Sequence, residues 1–325
     1  MSLLKQRNTR QAAWEVLCAL VKHHRALSVS LNAEDAPLTK ALCFGTCRHF
    51  FDLENALDQR VAKRPKSVEV WVLLVMGVYQ LTYLNEPAYA VVNETVALLQ
   101  DTRFAYAKGF VNGVLRQWVR SPVKPLPPET PLVQCFLEQQ IQQAWPSQWP
   151  AILQANHQHA PMALRVNVSR ISREAYIAQL AQQGIHATEH PFVSTAVLLT
   201  APCDVTALPG FQAGWVSVQD VAAQGVASLL ALSPGLRGLD ACAAPGGKTG
   251  HLLEQEPQLK TCVAVDSDFQ RLQRVKDTLM RLGVSATVLQ GDSSHPEQWW
   301  TGEAFDRILV DAPCSGSGVV RRHPD

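Results

Sequence analysis

The order of apolar and polar positions divides the chain into two regimes. Over residues 1 to about 120, apolar residues recur at helical spacing. "TRQAAWEVLCALVKH" puts Ala13, Val16, Leu17 and Leu20 on one face and offers Thr9 as an N-cap. "LTKALCFGTCRHFFDLENALDQRVAKR" continues the helical pattern. "VEVWVLLVMGVYQLTYL" is apolar almost all round, which predicts a helix at the centre of a bundle. "PAYAVVNETVALLQ" and "AYAKGFVNGVLRQWVR" complete the set, the last ending in Arg116 and Arg120.

The proline-dense "SPVKPLPPETPL" breaks this periodicity and reads as a stiff, extended linker. Beyond it, "CFLEQQIQQAW" reads as a short helix. "MALRVNV", "SREAYIAQLAQQG" and "VSTAVLLT" then read as strand, helix and strand, a small α+β module ending near Gly214. From there the helix "VAAQGVASLLAL" precedes the strands "GLRGLDAC", "KTCVAVD", "SATVLQGD" and "FDRILVDAPC", with amphipathic helices between them. Alternation of this kind predicts a parallel sheet of βαβ units. The expected organisation is a helical domain over 1–125, a linker and small α+β module over 126–214, and a Rossmann-like α/β domain over 215–325.

Charge changes this picture modestly. The net charge is +1, so the chain as a whole is not a basic nucleic-acid binder. Residues 1–130 carry 16 Lys and Arg against 11 Asp and Glu, however, and the remainder 13 against 17. The excess marks the helical domain as the candidate RNA-docking module. The eight cysteines include no C-x-x-C pair, and Cys43 and Cys47 have no second pair to complete a zinc site, so no metal is expected. The N-terminus lacks the pattern of a signal peptide, and no apolar run is long enough to span a bilayer. A reduced, cytoplasmic protein without membrane contact is expected.

"DACAAPGGKTG", Asp240 to Gly250, resembles a phosphate-binding loop at its end only. Such a loop needs a glycine with four residues between it and Gly-Lys-Thr, and here Cys242 stands at that position. The dinucleotide fingerprint is absent too. What remains is a strand ending in an acid, a loop of small residues and a helix N-terminus after Gly246-Gly247. That combination suits a ligand with a carboxylate for the helix end and a cationic group near Asp240. S-adenosylmethionine has both. Asp266, Asp292 and Asp311 end the following three strands, so four acids are expected along one crevice at the carboxyl end of the sheet. Asp266 is placed to meet ribose hydroxyls and Asp292 an adenine amino group. "DAPCSGSG" adds Cys314, a thiol of the kind that activates cytosine C5 by addition at C6.

"DACAAPGGKT", "VDSD", "GDSS" and "DAPCSGSG", in this order, resemble the Sun/NOP2 family of RNA cytosine-C5 methyltransferases. "WVSVQDVAAQ" matches the segment before that family's first methyltransferase helix. "GVYQL", "EPAYAVVNETVALL" and "KGFVNGVLRQWVR" are similar to the NusB-like helical domain of the bacterial branch that methylates 16S rRNA. The resemblance implies that Cys242, Ala243, Ala244, Pro245, Gly246, Gly247 and Lys248 contact the methionine part of S-adenosylmethionine, with Asp266 on the ribose and Asp292 near the adenine. It implies Asp311 between cofactor and cytosine, and Cys314 as the cysteine that assists product release. The implied partner is 16S rRNA or a small-subunit assembly intermediate, met by a monomer.

The family's attacking cysteine belongs to a second motif, Thr-Cys-Ser, beyond the Pro-Cys. No such motif precedes Asp325. The last strands of the family's sheet are not within the sequence either, so the α/β domain is expected to be incomplete and the chain a truncated, inactive product. Leu309 and Val310 are then expected to lose their neighbours on a bare outer strand edge. A non-catalytic RNA-binding remnant and a catalyst with Cys314 as nucleophile are the alternatives.

Overall fold

The computed structural model describes residues 8–32, 34–123 and 136–325, so most of the proline-dense linker lies outside the described residues. The chain packs as two compact units. One runs to Ala160 and includes Gly316–Asp325, and the other is Pro161–Ser315.

The first unit is helical: α1 (Thr9–His23), α2 (Leu27–Ser30), α3 (Pro37–Arg48), α4 (Phe50–Asp58), α5 (Val68–Tyr83), α6 (Ala88–Ala97), α7 (Lys108–Arg120), α8 (Phe136–Ala144) and α9 (Trp149–His157). Helix α5 is the centre, as its pattern predicts: every residue from Val70 to Gln80 is buried. Helices α1, α3, α4, α6 and α7 surround it and form one continuous core with it. Each large side chain buried there contributes about 1.5–3 kcal/mol. The cap of α1 differs from expectation. Asn8, not Thr9, accepts hydrogen bonds from the backbone N–H of Arg10 and Gln11, because an Asx side chain one position earlier reaches both orphan donors. The run around "CFGTCRHFFDLENALD" is two helices, broken at His49, whose backbone (φ −111°, ψ 14°) is non-helical. Gly45 lies one turn before that break, where a Cβ would sit 1.9 Å from the Tyr79 hydroxyl oxygen, so any larger residue there requires the Tyr79 side chain to move.

The second unit contains two four-stranded sheets. In the small one, β1 (Ala163–Val166) lies between β3 (Ala196–Leu199) and β4 (Val216–Val218), with β2 (Ala187–Glu189) beside β3; all pairings are antiparallel. Helix α10 (Arg173–Gln182) covers it through Tyr176 and Leu180. Strand β4 comes from the "WVSV" segment, which sequence reasoning had read only as the approach to the next helix.

The larger sheet is parallel, in the order β7-β6-β5-β8. Its strands are β5 (Arg237–Asp240), β6 (Thr261–Asp266), β7 (Thr287–Gln290) and β8 (Arg307–Leu309). They alternate with α11 (Val221–Leu229), α12 (Gly247–Gln255) and α13 (Phe269–Leu282). Among the described residues β8 is an edge strand, with Ile308 and Val310 exposed. Leu309, expected to lose its neighbours, is instead buried with Ala227 and Leu252, because α11 and α12 cover that face of the strand.

Candidate functional site

The strand order reverses at β5, where a doubly wound sheet opens a crevice outside its carboxyl ends. A cleft of about 340 Å³ lies there, lined by Ala241, Cys242, Ala244, Asp266, Ser267, Arg271, Gly291, Asp292, Ser293, Asp311 and Pro313. Three of the four strand-end acids thus share one cleft. The fourth does not. Asp240 is buried outside that lining; its Oδ2 accepts a hydrogen bond from the Thr249 hydroxyl (2.7 Å), which secures α12 to its strand, while Oδ1 has no hydrogen-bond partner among the described residues. Burial raises its pKa, opposed by the Thr249 bond and the charge of Lys248. The expected cationic ligand group beside Asp240 finds no support in the cleft lining, which Asp240 does not join.

Asp266 is also buried, but its surroundings differ. Oδ2 accepts from the Ala244 N–H and Oδ1 from the Asp268 N–H, each at 3.1 Å, and the Arg271 guanidinium stands 3.6 Å away. A carboxylate offers about four acceptor positions, so capacity remains on the cleft side. Asp292 is exposed and accepts from both the N–H and the hydroxyl of Ser294, bonds that lower its pKa. Asp311 is ion-paired with Lys248 from the first turn of α12. Cys314 is exposed and directly follows Pro313 of the lining.

Of Cys242 to Lys248, Cys242 and Ala244 line the cleft, beside Ala241. Ala243 is buried in the core between β6 and α13, where its N–H donates to Val265 O. Pro245 O accepts from the Thr278 hydroxyl. Gly246 has φ +96°, and a Cβ there would lie 3.0 Å from Val275 Cα, so its role is close backbone packing of the loop on α13. Gly247 O accepts from Arg165. Burial raises the pKa of Cys242, and the charges of Asp266, Asp240 and Asp311 add to it, so the thiol form is favoured.

Sequence reasoning missed two cations. Arg271, in the first turn of α13, lines the cleft and donates to Ala244 O (3.3 Å). Its signal was available: a basic residue shortly after a strand-end acid, at the start of a helix. Arg165 of β1 is fully buried and forms a two-bond pair with Glu254 of α12, both bonds 2.9 Å, while donating to Gly247 O at 2.8 Å. It fixes the position of the loop from within the second unit.

A parallel sheet with a glycine loop after its first strand and acids at its strand ends defines an α/β ligand-binding domain of the methyltransferase class. The comparisons with known proteins agree. Residues 227–325 match the model described as 16S rRNA methyltransferase RsmB/F, residues 135–206 the RsmF/B-like ferredoxin-like domain, and residues 7–120 the NusB family. The ribosomal RNA small subunit methyltransferase B of Pseudomonas syringae pv. tomato is 43% identical, over 98% of this chain and 74% of that protein. Its namesake in Escherichia coli O17:K52:H18 is 43% identical, over 99% and 78%. The crystal structure of PH0851 shares the fold, with a TM-score of 0.71 at 19% identity, over 98% of this chain and 77% of that one. A methyltransferase homolog protein from Pyrococcus horikoshii is 31% identical, with a TM-score of 0.51, over 57% and 60%. The chain belongs to the RsmB/F family of 16S rRNA methyltransferases. No helix among the described residues is long and apolar enough to cross a membrane.

Proposed function

We propose that the chain's site serves S-adenosylmethionine-dependent methylation of C5 of a cytosine in 16S rRNA, on naked RNA or on a small-subunit assembly intermediate. The observation that carries this reading is the meeting of Asp266, Asp292 and Asp311 in one cleft, with Cys314 directly after its last lining residue. The division into a helical RNA-binding domain (1–125), a linking module (126–214) and a catalytic domain (215–325) belongs to the same proposal, as do a monomeric state and a cytoplasmic location.

The cleft fits the cofactor. Small side chains at Ala241, Ala244 and Gly291 let a ligand approach the backbone, and the free acceptor capacity of Asp266 suits ribose hydroxyls. Asp292 would hold the adenine end, and Cys242 to Lys248 the methionine end, where Cys242 and Ala244 are the residues that reach the cleft. The bound cofactor supplies an electrophilic methyl group. The chain's own residues hold the base: Asp311, once exchanged from Lys248, accepts a hydrogen bond from the cytosine ring, and Cys314 assists release of the methylated product. The ring must be flipped or single-stranded to present C5 and C6. Cys242 and Cys262 are poor nucleophiles, since burial first, and neighbouring carboxylates second, raise both thiols, Cys262 to about 12.

RNA docking by the helical unit is supported by a second, open cleft where Arg116 and Arg120 stand beside Tyr89, itself 75% exposed. Cations for phosphates beside an aromatic face for a base suit single-stranded RNA. Its contribution should fall steeply with added salt. The primary test is calorimetry with S-adenosylmethionine: Asp266→Ala should weaken binding by about 1.5–3 kcal/mol. Unchanged affinity would remove Asp266 from the cofactor site and with it the orientation of the cofactor proposed here.

A further inference from the structure

The helical unit holds a cluster that the methyltransferase reading does not use. His49 at the α3–α4 break, Asp52 in the first turn of α4 and His157 at the end of α9 bring one ligand atom each within 4.8 Å of one another. His157 Nε2 is 3.1 Å from Asp52 Oδ2, and His49 Nδ1 is 3.9 Å from the same oxygen. All three side chains are largely buried, exposed by 15%, 6% and 17% in sequence order.

The hydrogen-bond pattern shows what the cluster lacks. His157 Nδ1 lies 3.0 Å from Leu153 O, which can only accept, so this nitrogen carries the proton. In the neutral ring Nε2 then presents a lone pair to a carboxylate oxygen. The contact needs a cation between them, a proton or a metal. A proton on His157 satisfies that contact alone. Among the described residues His49 Nδ1 is buried with no hydrogen-bond partner, and it faces the same carboxylate. One metal ion satisfies all three atoms together.

We propose that His49, Asp52 and His157 form a structural site for a zinc-like divalent cation that clamps α9 to the α3–α4 junction. Zinc binds imidazole nitrogen and carboxylate oxygen at about 2.0–2.2 Å, which in a tetrahedron separates ligand atoms by roughly 3.3 Å. The Asp52–His157 distance already matches, and His49 Nδ1, 3.9 Å from the same oxygen, must close by at least about 0.6 Å. Water completes the coordination. The Nδ1–H bond to a backbone carbonyl is the outer partner that metal-ligating histidines favour, since it fixes the tautomer and aims Nε2. His49 is held in turn by stacking on Tyr83, with ring centroids 4.0 Å apart. Around the cluster, Tyr79 and Tyr83 of α5, Glu138 of α8, Arg48 of α3, His159 and Arg321 supply the other titratable or charged groups. The two guanidinium groups oppose a dication, and Asp52 with Glu138 offsets them.

The test uses the whole chain, stripped with a chelator and titrated with zinc chloride and, separately, cobalt(II) chloride. One zinc per chain is expected by elemental analysis. Cobalt should give the visible spectrum of a nitrogen and oxygen site without thiolate charge-transfer absorption. Asp52→Asn and His157→Gln should each weaken zinc binding at least tenfold, by calorimetry. Absence of zinc uptake by the wild-type chain would overturn the site and leave a proton as the only bridge. A thiolate band with cobalt, or zinc retained by Asp52→Asn, would move the metal to the cysteines and overturn it equally.

Discussion

Two ion pairs anchor α12, one near its end and one in its first turn, and they could hardly be built more differently. Arg165 and Glu254 are exposed by 0% and 6% and share two parallel hydrogen bonds; the guanidinium also reaches Gln219 and Gly247 O. Lys248 and Asp311 are exposed by 24% and 55% and share a single contact. In the first pair every charge is committed, and water cannot replace a lost partner. In the second, solvent screens the attraction, so the pair can exchange at little cost. Burial therefore separates a charge that positions the glycine loop from a charge able to exchange its partner.

The largest effect should come from the buried pair. Glu254→Ala leaves the Arg165 guanidinium without its carboxylate, and urea denaturation should show a loss of about 3–5 kcal/mol. A loss under 1 kcal/mol would mean that Gln219 and Gly247 O alone satisfy the arginine, and the contrast between the pairs would collapse.

A smaller effect follows from the same guanidinium. His251 of α12 is buried, and burial first, then the charge of Arg165, lowers its pKa to about 3. The unfolded histidine takes up a proton near its ordinary value of about 6.5, while the folded one refuses it until about 3. Stability is therefore full above the unfolded value and falls as the pH drops through this window. Between about pH 8 and about pH 5 the loss should approach 2 kcal/mol, at 1.36 kcal/mol per unit. His251→Leu, measured by urea denaturation across that range, should flatten this part of the profile. An unaltered profile would place the acid sensitivity elsewhere.

What the sequence made legible follows from the range of the interactions involved. Helix α5 could be read because burial on all sides leaves a continuous apolar run, and the parallel sheet because its strands and helices alternate. The glycine loop was distinguished from a phosphate loop by one residue, Cys242. Asp240 and Asp266 could not be told apart, since both end a strand and both are buried. Their difference lies in partners, the Thr249 hydroxyl for one and two backbone N–H groups for the other. Arg165 was hidden because β1 is buried on both faces, so its strand does not alternate. The cluster of His49, Asp52 and His157 joins positions more than a hundred residues apart, and no spacing rule reaches that far.

The exposed pair yields the smallest effect on stability, and the one that bears on function. Lys248→Ala removes a partner that is a quarter exposed from an aspartate that is more than half exposed, so the free energy of unfolding should change by only about 0–1 kcal/mol. Activity should respond differently. Lys248 orients Asp311 toward the cleft, and under the proposed function a carboxylate without that anchor would sample more orientations before it exchanges to the base. Under the proposed function, methyl transfer to 16S rRNA by Lys248→Ala should fall while urea denaturation stays near wild type. In the present chain, crystallography or NMR of Lys248→Ala should find the Asp311 side chain in more than one orientation. A stability loss as large as that of Glu254→Ala would show that the second pair is structural as well, and that exposure does not separate the two.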